Sequence, residues 1–425
     1  MPRSAALVLT PRFPWPLDDG GRVVLWQSVL ATARYHDVSL ISFVAPREEA
    51  SPIPEPVRAA CARVVLVPRR PPPFLAAAWR GLMGRWPYTL ARYQDPAFAS
   101  AIREEAARVC PLFALVNHLH LAPYHEALGD VPMILRQHNA EHRWMERYAC
   151  SLGGSPRRIY ARLQARRLRG AERELCERAV LVLAIQEVEA DALRALAPGA
   201  RVRTLPVGVA LDRFLEPSPS TPPVVLLPGS FLWRPNVDGA MRFLETGWPR
   251  VQAAQPRARL RIAGKGPPAT LRRMAERVHA EIAADVPSME EELSRASVVV
   301  VPLWVGAGAR VKIVEAMAAR VPVVATSTAA EGLELEPDLH YRCGDSPEEL
   351  GAAVASLLGS PAERLRLAAQ GRMLAETRWS LDVVARRQES LIAQAVKGEF
   401  VVGRRGEEQS DGGAVRGPRV DSYHP

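Results

Sequence analysis

Arg310, Lys312 and Glu315 lie in one short stretch of this chain, directly behind a Gly306-Ala307-Gly308 turn. If a helix starts at that turn, its unpaired backbone N–H groups and positive dipole end suit an anion. Arg310 and Lys312 add positive charge beside it. A carboxylate at Glu315 can accept two hydroxyl hydrogen bonds of the kind a ribose offers. Phosphate, cation and ribose ligand within one turn and helix are the chemistry of a nucleotide-sugar site. The plainer alternative makes Lys312 and Glu315 an exposed i,i+3 pair with no ligand. Two other places offer site chemistry. Gly20-Gly21 lets backbone approach a ligand closely at a second helix start, and His138 stands where a strand ends, although a lone His more often serves structure.

These residues need elements to hold them. Val298 to Leu303 is a continuous apolar run, as in a strand buried on both faces. Ala309 to Ala319 reads as a helix with Val311, Val314 and Ala318 on one stripe, and Pro322 ends it. Val321 to Thr326 is the next strand, with a loop from Ala329 to Leu333, including Glu331, at its carboxyl end. Ligands of open parallel sheets gather at such ends. Upstream, strands are expected at Ala5 to Thr10, Asp37 to Val44, Ala59 to Pro68, Pro111 to His118, Met133 onward and Ala179 to Ile185. Val23 to Tyr35 and the Arg-rich Pro156 to Ala179 read as helices, the latter as a solvated face. Glu216 to Pro223, EPSPSTPP, is a linker by composition. Strands resume at Val224 and at Arg259 to Gly264, and Glu281 to Pro287 reads as a loop. Leu381 to Ala395 closes the chain with a helix.

At 425 residues the chain is long for a single core, and 48% hydrophobic with 24% charged residues is a globular composition. No apolar run is long enough to span a bilayer, and the amino terminus has no signal-peptide pattern. Five cysteines without a Cys-x-x-Cys pair suggest a reduced, cytoplasmic setting and no zinc. Net charge +9 favours an anionic partner, but no nucleic-acid-binding motif is present. Phe74 to Tyr88 mixes Trp79, Leu82, Met83 and Trp86 with Arg80 and Arg85. That mixture suits an interfacial membrane contact or a lipid-linked acceptor; a helix packed on its own domain is the plainer reading.

The segment Glu315-Ala316-Met317-Ala318 followed by Val321 to Thr326 closely resembles the donor-binding region of family-4 glycosyltransferases, with Ala307 where that family has its first Glu. Asp19-Gly20-Gly21-Arg22 resembles the family's Asp-Gly-Gly-x-Arg opening loop, which implies contact with donor diphosphate and acceptor. His138-Asn139-x-Glu141 resembles its amino-domain motif, whose His lies near the donor sugar. Pro228-Gly229-Ser230 stands at the family's diphosphate loop, with Ser230 and Pro235 in place of its two cations. The charge is expected to have moved to Arg310 and Lys312.

The resemblance implies the GT-B fold: two Rossmann-like α/β domains facing a cleft. They would span 1–205 for the acceptor and 206–380 for the nucleotide sugar, with a closing helix at 381–396 packing back on the first domain and a disordered tail at 397–425. The implied activity is retaining transfer of a sugar from a nucleoside diphosphate donor to a hydroxyl, in polysaccharide or glycolipid assembly, with no metal or cofactor beyond the co-substrate. His138, Arg310 and Lys312 are the catalytic candidates, and Gly20, Gly21, Gly229, Ser230, Gly308, Glu315 and Glu331 the donor ligands. The expected partners are the donor, a glycan or lipid-linked acceptor and the face of an anionic membrane. A nucleotide-sugar epimerase of the same fold and a degenerate scaffold protein are the rival readings.

Overall fold

The structure is a computed structural model that describes residues 3–17, 20–46, 52–151, 156–305 and 310–398. Ala307, Gly308 and the tail beyond 398 fall outside those residues.

The first sheet contains β1 (Ala5–Thr10), β2 (Asp37–Val44), β3 (Arg63–Pro68), β4 (Phe113–Asn117), β5 (Met133–Gln137), β6 (Leu181–Ala184) and β7 (Val202–Thr204). Their spatial order is 3-2-1-4-5-6-7 and every pairing is parallel. The second sheet contains β8 (Val224–Pro228), β9 (Arg259–Gly264), β10 (Glu281–Ala284), β11 (Val298–Val301), β12 (Val323–Ala325) and β13 (Arg342–Cys343), ordered 10-9-8-11-12-13 and again parallel. Apolar runs such as Phe113–Asn117 and Val298–Val301 are buried throughout, because helices cover both faces of a parallel sheet. Each order reverses beside its founding strand, at β1/β4 and β8/β11. These switch points open the crevices in which doubly wound sheets take ligands.

The segment 281–287 is not all loop: Glu281–Ala284 pairs with β9 as the edge strand β10. With Ile282 its only β-branched residue, this half-buried strand carries no strong strand pattern. The first helix starts at Gly20, earlier than its apolar stripe, and runs to Ala33. The helix expected from Ala309 is Val311–Ala318, since Arg310 sits in left-handed backbone at φ 49° as its N-cap.

The chain crosses between domains twice at one place. Val209 N donates to the Trp379 carbonyl at 2.7 Å, and Leu381 N donates to the Val209 carbonyl at 2.8 Å. The helix Leu381–Val396 then leaves the second domain and lies on Gly20–Ala33, where Gln388 Nε2 donates to Thr32 Oγ1 at 3.0 Å. Val384, Ile392 and Ala395 pack into the first domain's core with Val8, Trp26 and Phe113.

Candidate active site

A cavity of about 690 Å³ lies between the carboxyl ends of the two sheets. From the first domain it is lined by Arg12 beyond β1, by Gly20 and Gly21, by His118 beyond β4 and by His138 beyond β5. From the second come Gly229 and Ser230 beyond β8, Lys265 beyond β9, and Arg310, Lys312 and Glu315.

The two helix starts face each other. A Cβ built on Gly20 would lie 4.0 Å from the Val311 side chain, so both helix amino ends open onto the same space. The floor comes from a close approach of two loops. Gly264 has φ +142°, and a Cβ there would sit 1.9 Å from the Gly229 carbonyl oxygen. Only glycine lets the β8 and β9 exits meet.

Lys312 reaches across to this floor. Its Nζ donates to Asn236 Oδ1 at 2.8 Å, while Asn236 Nδ2 donates to the Ser230 carbonyl at 2.8 Å. Lys312 thus sets a cation beside the Ser230 loop from another helix. Burial, with the neighbouring Arg310 charge, lowers the Lys312 ammonium to about 8. Lys312 and Glu315 are half-buried in the cavity wall rather than an exposed pair, and no bond joins them. Burial raises the Glu315 carboxyl to about 7, against the nearby Arg213 charge.

Arg310 is 8% exposed and points its guanidinium at Glu331, 3.7 Å from Oε2. Glu331 itself does not line the cavity. The turn after the short Ser327–Ala330 helix carries its backbone to Gln186, whose Nε2 donates to the Glu331 carbonyl at 3.3 Å, and its carboxylate faces Arg310. Glu331 is therefore placed to orient Arg310. Gly308, expected as a donor ligand, lies outside the described residues.

His138 is 6% exposed, its ring 3.7 Å from that of His118. Burial, with Arg136 and Arg12 adding to it, holds its imidazole well below 6.5, so it is neutral at pH 7. Its Nε2 has no hydrogen-bond partner among the described residues. The loop that carries it is fastened from behind. Glu172, fully buried, accepts from Glu141 N at 3.0 Å, His142 N at 2.9 Å and Gln137 Nε2 at 3.1 Å, and Glu189 accepts from Ala140 N at 2.5 Å.

Donor atoms of His118, His120 and Glu141 approach within 4.8 Å of one another and could hold a metal ion. Burial, with nearby charges adding to it, opposes protonation of His118 and His120, while burial and Glu172 raise Glu141 to about 8, which keeps its carboxyl protonated at pH 7. Lys265 lies in the Gly264–Pro268 segment that the sequence places facing the cleft, whereas Arg12, Asn236 and His118 were not singled out from sequence. Arg12 stands two residues beyond β1, which was the available signal.

Residues 222–360 match the sequence family described as glycosyl transferases group 1. The match covers about a third of the chain and falls on the second of its two sheets. Across 220 residues it is 28% identical to a GDP-mannose-dependent monoacylated alpha-(1-6)-phosphatidylinositol monomannoside mannosyltransferase of Corynebacterium glutamicum. That match takes in 44% of this chain and 55% of the relative, so the chain spans about half the length of that relative. Sucrose-phosphate synthase from Thermosynechococcus elongatus superposes with TM-score 0.68 at 17% identity, over 93% of this chain and 100% of that one. Anabaena HepE, solved in complex with UDP and glucose, superposes with TM-score 0.65 at 12% identity, over 92% and 99%. These likenesses extend the fold across both domains: the matched segment belongs to the second half of a GT-B architecture.

Proposed function

We propose that this protein is a retaining glycosyltransferase that moves a sugar from a nucleoside diphosphate donor to a hydroxyl acceptor. The observation that carries the reading is the convergence on one cavity of two helix starts with Arg310 and Lys312. Basic residues outnumber carboxylates in its described lining: Arg12, Arg147, Arg213, Lys265, Arg310 and Lys312 against Glu290 and Glu315. Such a field suits a diphosphate.

In this reading the donor's diphosphate lies between the Gly20 and Val311 helix starts, and Glu315 accepts from the two ribose hydroxyls. The bond from the anomeric carbon to the diphosphate oxygen breaks with its electron pair going to that oxygen. Arg310, Lys312 and the helix dipoles stabilise the charge that develops there. The acceptor hydroxyl bonds to the anomeric carbon on the same face, and its proton passes to the departing phosphate oxygen. Neutral His138 offers a hydrogen bond to the sugar and no acid. Among the described residues lining the cavity, the only carboxylates are Glu290, held by Arg213, and Glu315, and neither is spare for a double displacement.

The test is a thermal-shift panel of UDP, GDP, ADP and CMP on the wild type and on Glu315→Ala. A ligand of the folded state raises apparent stability by mass action. The expected result is a shift with one nucleoside diphosphate that disappears in the variant. Folded wild-type protein that shifts with none of them would overturn the reading and favour a degenerate scaffold.

A peripheral membrane contact is part of the same proposal. The helix Phe74–Met83 buries Ala77 and Gly81, and Gln164 Nε2 on the long helix Pro156–Arg178 donates to the Gly81 carbonyl at 3.0 Å. It turns Phe74, Leu75, Trp79 and Met83 outward, each more than 60% exposed, beside an equally exposed Ile159 and the exposed Arg80 and Arg162. Apolar side chains ringed by Arg suit an anionic lipid surface. No described helix is long and apolar enough to cross a membrane. Co-sedimentation with phosphatidylglycerol vesicles, lost in Leu75→Glu and absent with phosphatidylcholine, is the expected outcome; equal recovery of wild type and variant would refute the contact.

A further inference from the structure

Beyond the donor residues, the cavity's outer wall is built by one face of the helix Glu141–Ser151, directly after the His138 loop. Trp144 and Tyr148, one turn apart, stack with their rings parallel at 4° and centroids 5.7 Å apart, so they present a rigid aromatic pair. Both line the cavity, yet remain 50% and 47% exposed. The helix is anchored by Met145 and Ala149 on its opposite, buried face. Arg147 lies on the same turn and also lines the cavity, and it has no ion pair among the described residues.

We propose that Trp144, Arg147 and Tyr148 form an acceptor subsite for a pyranose bearing an anionic group. This rests on the glycosyltransferase reading and adds the acceptor's chemical class. The apolar C–H face of a pyranose is drawn to the negative face of an aromatic ring, and stacking holds the exposed ring of this pair rigid for that contact. The Arg147 guanidinium on the same turn binds phosphate or carboxylate through paired N–H donors, which fixes the sugar's orientation as well as its charge. The pair stands on the first domain, across the cavity from Lys312 and Glu315. A sugar resting on it would therefore not compete with the nucleotide.

Calorimetric titrations of the full chain test this with glucose 6-phosphate, mannose 6-phosphate, glucuronate, methyl glucoside and inorganic phosphate, and nucleoside diphosphate binding is followed in parallel by thermal shift. Anionic pyranosides should bind more tightly than methyl glucoside and than phosphate alone. Trp144→Ala and Tyr148→Ala should each weaken every pyranoside on the order of ten-fold, as the loss of one aromatic contact predicts. Arg147→Ala should bring the anionic sugars to the level of methyl glucoside and leave methyl glucoside unchanged. A 6-phosphate preferred over glucuronate would identify the anion as phosphate; the reverse would identify a uronate. Inorganic phosphate binding as well as the sugar phosphates would overturn the proposal, and so would pyranoside binding indifferent to both aromatic variants. A nucleotide shift lost in Trp144→Ala would also overturn it, by assigning the pair to the donor. A wild type that binds anionic pyranosides but no nucleoside diphosphate would sink the glycosyltransferase reading while leaving the subsite in place.

Discussion

The Lys312 ammonium donates to Asn236 Oδ1 at 2.8 Å across the mouth of the β8 loop, so a helix and a loop far apart in sequence share one cation. Asn236→Ala should release that ammonium and weaken nucleoside diphosphate binding by about ten-fold, whereas Lys312→Met should cost about a hundred-fold, the range expected of charged hydrogen bonds. The protonated amine is the form that attracts the diphosphate. Because burial brings it to about 8, wild-type affinity should decline as pH rises through that value and the Met variant should show no such decline. Titration calorimetry from pH 6.5 to 9.5 measures both.

Glu315 titrates in the opposite sense. Its carboxyl is raised from 4.5 to about 7, so the folded chain holds a proton that the unfolded chain has released across that window. Stability attributable to this group therefore falls as pH rises from 4.5 to 7, and the cost is complete above 7. Glu315→Gln should raise the melting temperature at pH 8, leave it unchanged at pH 4, and still abolish the nucleotide shift. Scanning calorimetry at the two pH values separates these effects. An equal change at both would remove the electrostatic explanation.

Glu172 is buried with its carboxylate accepting from three N–H groups and paired with His142 Nδ1 at 2.7 Å. Glu172→Ala would leave those donors without a partner at a cost of roughly 3 kcal/mol or more, seen as a lower denaturant midpoint. Because those N–H groups fix the backbone on both sides of His138, donor turnover should fall even in conditions where the variant is fully folded.

Gly264→Ala should be among the most damaging single-methyl changes in the chain. The new Cβ would collide with the Gly229 carbonyl at 1.9 Å, and the φ of +142° is itself unfavourable to any side chain. The β8 and β9 exits would have to part, taking Ser230 with them. The expected outcome is nucleotide binding lost beyond detection in the thermal-shift panel, with far-ultraviolet circular dichroism unchanged.

The two parallel sheets were readable from the sequence because buried parallel strands are continuous apolar runs, as in Val298–Val301 and Phe113–Asn117. The strand Glu281–Ala284 was not, because an edge strand buried on one side loses that signature. His138, Lys312 and Glu315 could be placed at strand exits and a helix start by local pattern alone. Their convergence with Arg12 and Lys265 could not, since it depends on how two domains face each other. The aromatic pair of Trp144 and Tyr148 was equally hidden: a stripe at helical spacing reads the same whether it faces a core, solvent or a cavity. The position of Arg310 also escaped, because a left-handed non-glycine residue before a helix follows from the surrounding packing and has no local sequence mark.

The paired crossing at Val209, Trp379 and Leu381 acts as a spine. Both strands of chain that join the domains are bound to each other there, and Gly208 lies flush against Leu381 and Val384, 3.3 Å from where its Cβ would be. Rotation of one domain on the other is confined to an axis through that point, as with a book whose covers share one binding. The facing pages are the Gly20 and Val311 helix starts, so opening parts them without sliding one along the other, and every closure returns the same two ends to the same opposition.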